Sequence, residues 1–251
     1  MRFSKEITEY LLGHKFSSGL SIPISALNDK LMSRKEIIIN IIKKKKVINL
    51  GCCDHINVIK DKIKNNTWMH KLITENSKYC LGIDIDQEAI NYVKMEFRYE
   101  NIIYGDITGP EKISEIEGKK FDIMVMGEIL EHVDDPVFFL RQIRKNYKNN
   151  ISQILITVPN AFSYRNLKSL KENVEVINSD HRYWFTPYTL AKIVTRAGYG
   201  VDEFFFTDEM GNKTGLKAKL LFIPYLKSKL LYNKIRNFPA LRINLVMIIN
   251  L

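Results

Sequence analysis

The feature that most constrains this chain is an alternation. Between Ser33 and Asp208, short apolar runs alternate with stretches of helical periodicity. The runs "VINL" (47–50), "YCLGIDID" (79–86), "NIIYGDIT" (101–108), "FDIMVMGEI" (121–129) and "ISQILITVPN" (151–160) read as strands. Their continuous apolar character predicts burial on both faces. Helix signals fill the gaps. Ser33, with Glu36 three residues on, is a capping pair for a helix that Lys43 to Lys46 close. A helical stretch follows at about 54–64, and "QEAINYVKMEF" is another. Asp135–Pro136 start a helix whose apolar face is Val137, Leu140, Ile143 and Tyr147. Thr186–Pro187 start one with Leu190, Ile193, Val194 and Ala197 at helical spacing, ended by Gly198. "YGVDEFFFTD" and "INLVMIIN" are late strands. This order predicts an α/β chain, doubly wound about a mostly parallel sheet, with its ligand beyond the C-terminal strand ends. Polar residues collect there: Gly51 to His55, Asp84 and Asp86, Asp106, Glu128 to His132, and Asn160.

Composition narrows the function classes. A chain of 251 residues, 45% hydrophobic, has material for one sizeable core. No apolar run approaches the roughly 18 residues of a membrane span. The first sixteen residues lack the long apolar stretch of a secretory leader. Three cysteines, at 52, 53 and 80, suit a reducing cytoplasm better than a disulfide framework. The net charge of +10 is uneven. No acidic residue follows Glu209, whereas Lys213, Lys217, Lys219, Lys227, Lys229, Lys234, Arg236 and Arg242 do. Residues 213–236 mix seven of these cations with leucines, isoleucines and aromatics, and Pro224 is expected to break them into two short helices. Such a stretch suits peripheral contact with an anionic membrane surface; the plainer reading is a solvated basic face.

"GCCDH" (51–55) follows the first strand and precedes a helix. Zinc and redox sites use spaced pairs such as C-x-x-C, and adjacent sulfurs are expected to point apart. A nucleotide-type loop fits the position, with Gly51 giving the close turn. A pyrophosphate loop needs further glycines, and Cys53 and His55 stand where they would fall, which argues against NAD.

Taken in order, "VINLGCCDH", "LGIDID", "NIIYGDIT", "FDIMVMGEILEHVDDP", "ILITVPN" and "HRYWFTPYTL" resemble a class I S-adenosylmethionine-dependent methyltransferase. The similar group includes ubiquinone-biosynthesis O-methyltransferases and small bacterial enzymes of surface-glycan and lipid pathways. The resemblance spans about 33–205 and implies a Rossmann-like, seven-stranded sheet whose antiparallel last strand would be "INLVMIIN". It implies a methyltransferase domain over 33–251, with residues 1–32 contributing to an acceptor site. It implies that Gly51 and its neighbours Asn49, Cys52 and Cys53 face the methionine part of the cofactor. Asp84 would take the ribose hydroxyls, Asp106 with Ile107 would flank the adenine, and Glu128 would help line the site. The chemistry is sound: a carboxylate accepts from both hydroxyls, and Ile85 and Ile107 offer apolar faces to a ring.

After the fourth strand, a helical turn would put Glu128, Glu131 and His132 on one face, with His181 as a fourth candidate ligand for Mg²⁺ or Mn²⁺. The pattern is similar to that of small-RNA 2′-O-methyltransferases. If the acceptor is a hydroxyl, His132 and His181 are the candidate bases. The resulting reading is methyl transfer to a hydroxyl or amine of a small-molecule, glycan or lipid-linked acceptor. The alternatives are an RNA 2′-O-methyltransferase, disfavoured because no aromatic-plus-basic RNA module is recognisable, and a non-catalytic binding protein. Tyr164 and Lys168 have a dehydrogenase-like spacing, but the glycine loop that should accompany it is absent.

Overall fold

The computed structural model describes residues 1–24, 30–209 and 222–251, with the backbone alone over 222–228. Seven strands form one sheet: β1 (Lys46–Leu50), β2 (Tyr79–Asp84), β3 (Ile102–Tyr104), β4 (Phe121–Gly127), β5 (Ile151–Pro159), β6 (Gly200–Thr207) and β7 (Asn244–Asn250). Their order is β3-β2-β1-β4-β5-β7-β6. The first five are parallel, while β7 runs antiparallel to both β5 and β6. "INLVMIIN" is thus the reversed strand.

Side-chain alternation sorts the strands into two cores. Ile48, Leu50, Leu81, Ile83, Met124, Met126, Ile154 and Ile156 face one side. Val47, Cys80, Ile123, Val125, Leu155 and Val246 face the other. Both sides exclude water, which is why the strands lack a polar alternation. Burial pushes the Cys80 thiol up to about 12, so it is packing material.

The helices are α1 (Lys5–Leu12), α2 (Arg34–Ile42), α3 (Ile56–Lys64), α4 (Met69–Asn76), α5 (Gln87–Phe97), α6 (Pro136–Tyr147), α7 (Tyr164–Lys171), α8 (Pro187–Arg196) and α9 (Phe222–Asn237). The expected caps form. Ser33 and Glu36 close a capping box on α2. Asp86 accepts from the Ala89 amide at 2.9 Å, and Asp135 from that of Phe138 at 2.9 Å. Thr186 and Thr189 box the start of α8.

The N-terminal segment packs on the rest of the chain: Ile7 and Leu11 of α1 join the main core, and Lys192 of α8 donates to the Tyr10 carbonyl. Pro224 falls in the first turn of α9, where a missing amide proton costs nothing, and α9 runs unbroken from Phe222 to Asn237. The part of that stretch before Phe222 lies outside the described residues. Arg242 is not a surface cation. It is fully buried and donates to the carbonyls of Ile235, Lys30 and Phe206 at 3.2, 3.3 and 3.0 Å. It ties α9, the segment before α2 and β6 together at the entrance to β7. No described helix is long and apolar enough to cross a membrane.

Candidate active site

β1 is the switch point of the sheet, since the chain crosses to opposite sides on leaving it and on returning at β4. A crevice therefore opens beyond its C-terminal end. The loop there begins with Gly51 at φ +62°, in the left-handed region. A Cβ at this position would sit 3.0 Å from Ile129 Cδ1, so glycine is required by both conformation and space. Asp84 ends β2 and is buried to 9% exposure. Its Oδ2 accepts from the Cys53 amide at 2.8 Å and its Oδ1 from the Asp86 amide at 3.1 Å. One carboxylate thus ties the first loop to the second and keeps a lone pair on each oxygen for a ligand.

The neighbouring residues divide sharply. Ile85 is 71% exposed, an apolar side chain left open beside a carboxylate. Asp106 is also exposed, its Oδ1 held by the Thr108 amide and hydroxyl at 2.8 and 2.6 Å. Ile107 departs from expectation. Its side chain is packed into the main core, so only its backbone reaches the crevice. Asn49 departs too. It is buried, and its Nδ2 lies 3.1 Å from His70 Nδ1. It sits one residue from Ile48 and Leu50 and therefore points to the opposite face of the sheet. Cys52 is buried with Ile59, Trp68 and Ile90, while its carbonyl accepts from Trp68 Nε1 at 3.0 Å. Cys53 is half-buried, and its amide is held by Asp84. The sulfurs do not point apart: one sulfur of each and an Asp84 oxygen lie within 4.8 Å of one another. Trp68 caps the start of α4 and His70 sits on it, a helix not foreseen, because their segment lacks a long periodic run.

At the end of β4 the helical face expected of Glu128, Glu131 and His132 does not form. Glu128 takes φ +57°, and only Leu130–His132 make a 3-10 turn. That left-handed residue swings the Glu128 carboxylate away, toward Arg34 (2.9 Å) and the Thr157 hydroxyl (3.0 Å), with the Asn244 amide 3.4 Å off. Arg34 was legible only as part of a helix start.

Glu131, His132 and His181 do come together, with one ligand atom of each within 4.8 Å of the others. The imidazole rings meet edge to face at 4.7 Å between centroids. His181 arrives because its loop is stitched to the Glu131 loop. The Arg182 amide donates to the Glu131 carbonyl at 2.7 Å, and its guanidinium to the His132 carbonyl at 2.6 Å and to the Asp134 carboxylate. Tyr183 Oη donates to the Asp134 carbonyl at 2.7 Å. Glu131 is fully buried, and among the described residues neither carboxylate oxygen has a hydrogen-bond partner. Burial, and then the charge of Glu128, push its acid up to about 8. Burial and the neighbouring His132 hold His181 below the ordinary imidazole value.

Beyond Glu128 lies a cavity of about 570 Å³, reached past Asn244 and Asn160 and walled by Tyr164, Lys168 and Trp184. Tyr164 and Lys168 are therefore wall residues of α7. The glycine loop of a dehydrogenase is missing beside them.

A switch-point crevice with a glycine turn, a strand-two carboxylate and a cavity beyond strand four define a class I methyltransferase site. A family model described as a methyltransferase domain matches residues 30–203, and the chain belongs to that family. It is a methyltransferase. No curated protein is detectably similar in sequence. Among solved structures, it is similar to magnesium protoporphyrin IX methyltransferase from Synechocystis PCC 6803 with bound S-adenosylhomocysteine. That likeness has 9% identity, 86% coverage of this chain and 82% of the other, and a TM-score of 0.50. The methyltransferase domain of bacterial CtHen1-CN has 16% identity, 87% and 98% coverage, and a TM-score of 0.50. An S-adenosylmethionine-dependent methyltransferase from Archaeoglobus fulgidus has 16% identity, 86% and 94% coverage, and a TM-score of 0.49. At these identities the likeness is one of fold.

His70 yields a testable consequence. Burial depresses its pKa from 6.5 to about 4, so it is neutral at pH 7. The unfolded chain takes up this proton more readily, so its contribution to stability is complete above about pH 6.5 and is lost as pH falls toward 4. The loss amounts to roughly 3 kcal/mol at most. His70→Gln should flatten that part of a urea-denaturation profile measured from pH 7 to 4. Parallel profiles for the two proteins would refute the assignment.

Proposed function

We propose that the protein transfers a methyl group from S-adenosylmethionine to a hydroxyl or amine of a small-molecule, glycan or lipid-linked acceptor seated beyond Glu128. The observation that carries this reading is the position of the 570 Å³ cavity, which is lined by Glu128 after β4, by Pro159 and Asn160 at the end of β5 and by Asn244 at the start of β7. The residues fit the donor. Asp84 presents lone pairs to ribose hydroxyls, Ile85 offers an open apolar face, and Asp106 can accept from the adenine amino group. Gly51 lets the backbone approach closely. The donor supplies an activated methyl on a sulfonium, so the protein's task is placement and exclusion of water. For a hydroxyl acceptor, His181 is suited to take a proton, since it is held neutral near pH 7.

A second reading is favoured by the orphaned Glu131 carboxylate. One carboxylate and two imidazoles form a donor set for a divalent ion, and an ion would satisfy the two buried oxygens. Glu131, His132 and His181 would hold it, and Glu128, turned to Arg34, would not. Such an ion would polarise an acceptor oxygen. An RNA 2′-hydroxyl is the matching alternative acceptor; one solved structure of similar fold (TM-score 0.50) is a small RNA methyltransferase, HEN1. Peripheral contact of residues 213–236 with an anionic membrane also belongs to this proposal. It draws support from the exposed Lys229, Lys234 and Arg236 of α9. Cytoplasmic residence is the matching expectation.

Calorimetry with S-adenosylhomocysteine tests the first reading. Asp84→Asn should weaken binding by about 1.5–3 kcal/mol, the scale of a hydrogen bond to a charged group. Unchanged affinity would remove Asp84 from the site. For the second reading, Mn²⁺ titration should give one site that His181→Ala abolishes; heat equal to a buffer blank would leave the three residues without a metal role. For the membrane contact, anionic vesicles should pellet the protein at low salt and release it at high salt, whereas neutral vesicles should not. Equal pelleting by both would discard it.

A further inference from the structure

Helix α7 is anomalous in this fold. It follows β5, carries the sequence YRNLKSLK, and buries no residue. Its Leu167 and Leu170 are exposed, and Val174, Val176 and Ile177 just beyond it are exposed as well. Leu170 is 62% and Val176 66% accessible. Five open aliphatic side chains within eleven residues are costly for a segment that merely faces water, and they are not packed on the core.

These residues are not scattered. A second cavity of about 350 Å³ is lined by Leu170, Val174, Val176 and Trp184, and it shares Asn166, Ser169, Val176 and Trp184 with the cavity beyond Glu128. The two form one groove with three zones. The inner end, at Glu128, Asn160 and Asn244, is polar. The outer end is aliphatic and aromatic. Along the chain, Arg165 and Lys168 of α7 follow Asn160 and precede Leu170 and Val174; both line the first cavity, and neither is in an ion pair among the described residues. Lys234 of α9 lies 5.7 Å above the Tyr164 ring, adding a cation to the same wall. The acids bordering the groove are engaged elsewhere. Glu128 pairs with Arg34, and Glu175 accepts from Trp184 Nε1 at 3.0 Å. The open charge in the middle of the groove is therefore positive.

We propose that this groove is the acceptor site and that the acceptor is an anionic amphiphile. Its methylated group lies toward Glu128, its anionic group rests on Arg165 and Lys168, and its aliphatic chain runs over Leu170, Val174, Val176 and Trp184. The assignment rests on the methyltransferase reading above and narrows its substrate class. The order of the zones matters: charge lies between the reacting end and the chain, so a neutral lipid or a short anion satisfies only part of the groove. Phosphate and carboxylate both meet the requirement for charge. Arginine's planar fork suits either through paired hydrogen bonds.

Intrinsic fluorescence provides the test, because the chain holds only two tryptophans and Trp68 is fully buried. Monomeric dodecyl phosphate, kept below its micelle concentration, should shift the Trp184 emission to shorter wavelength. Trp184→Phe should remove the signal. Dodecyl maltoside, with the same chain and a neutral head, and butyl phosphate, with the same head and a short chain, should each bind at least tenfold more weakly. Laurate separates the sources of charge: binding equal to dodecyl phosphate assigns the middle zone to charge alone, and weaker binding assigns it to phosphate. Arg165→Ala/Lys168→Ala should lose at least tenfold for dodecyl phosphate and nothing for the maltoside. Leu170→Ser/Val176→Ser should lose the dependence on chain length. These side chains lie on the surface, so thermal melting and S-adenosylhomocysteine affinity should stay unchanged in both variants. Equal affinity of dodecyl phosphate for the wild type and the cation variant, or binding independent of chain length, overturns the assignment. If the wild type binds S-adenosylhomocysteine but not dodecyl phosphate, the acceptor assignment alone falls. If it binds neither, the methyltransferase reading falls with it.

Discussion

Everything in this molecule depends on a parallel sheet that is buried on both faces. Such a sheet leaves no room for polar side chains along its strands, because burying an unpaired polar group costs a few kcal/mol. Polar chemistry is driven to the strand ends, and parallel strands deliver those ends to one edge. Some polar groups do enter the sheet: the Thr207 hydroxyl at the end of β6 has no hydrogen-bond partner among the described residues, whereas two others are paired. Asn49 meets His70, and Thr157 donates to Glu128. Gly82, opposite Asn49 on β2, makes the first of these possible: a Cβ there would come within 2.7 Å of His70 Cε1.

The crevice is tied together by carboxylates. Asp84 anchors the first loop through the Cys53 amide and the second through the Asp86 amide, so one carboxylate positions the backbone of both. Glu128 acts similarly on the other side of β1, joining α2, β5 and β7 through Arg34, Thr157 and Asn244. Its left-handed backbone is a strained choice for a residue with a side chain, and this network of partners offsets it. The wall beyond β5 is built differently: α7 and residues 174–177 contribute little to the core.

Much of the fold was legible before any coordinates. The strands, the capping residues of α2, α6 and α8, and the reversed β7 were visible because each has a local cause: an apolar run, an Asp, Ser or Thr with a free oxygen, a proline at a helix start. Gly51, Asp84, Ile85 and Asp106 could be placed because they stand at strand ends, and a strand end is a position in sequence. The helices α1, α4 and α7 were not visible. Their periodicity is short, and α7 has no buried face to write a pattern.

The sequence by itself therefore determined the class of fold and the edge at which the polar loops gather, since these follow from period, capping and order along the chain. Only the tertiary structure decided which side chain at a strand end faces the crevice. One residue separates Asn49, which points to His70, from Leu50 in the opposite core. It also decided that Glu128 leaves the Glu131 cluster, because a single left-handed φ breaks the helical spacing that the sequence implied. And it decided that His181 reaches His132, through the Arg182 and Tyr183 hydrogen bonds between loops about fifty residues apart. Those are long-range contacts between irregular segments, and no local pattern encodes them.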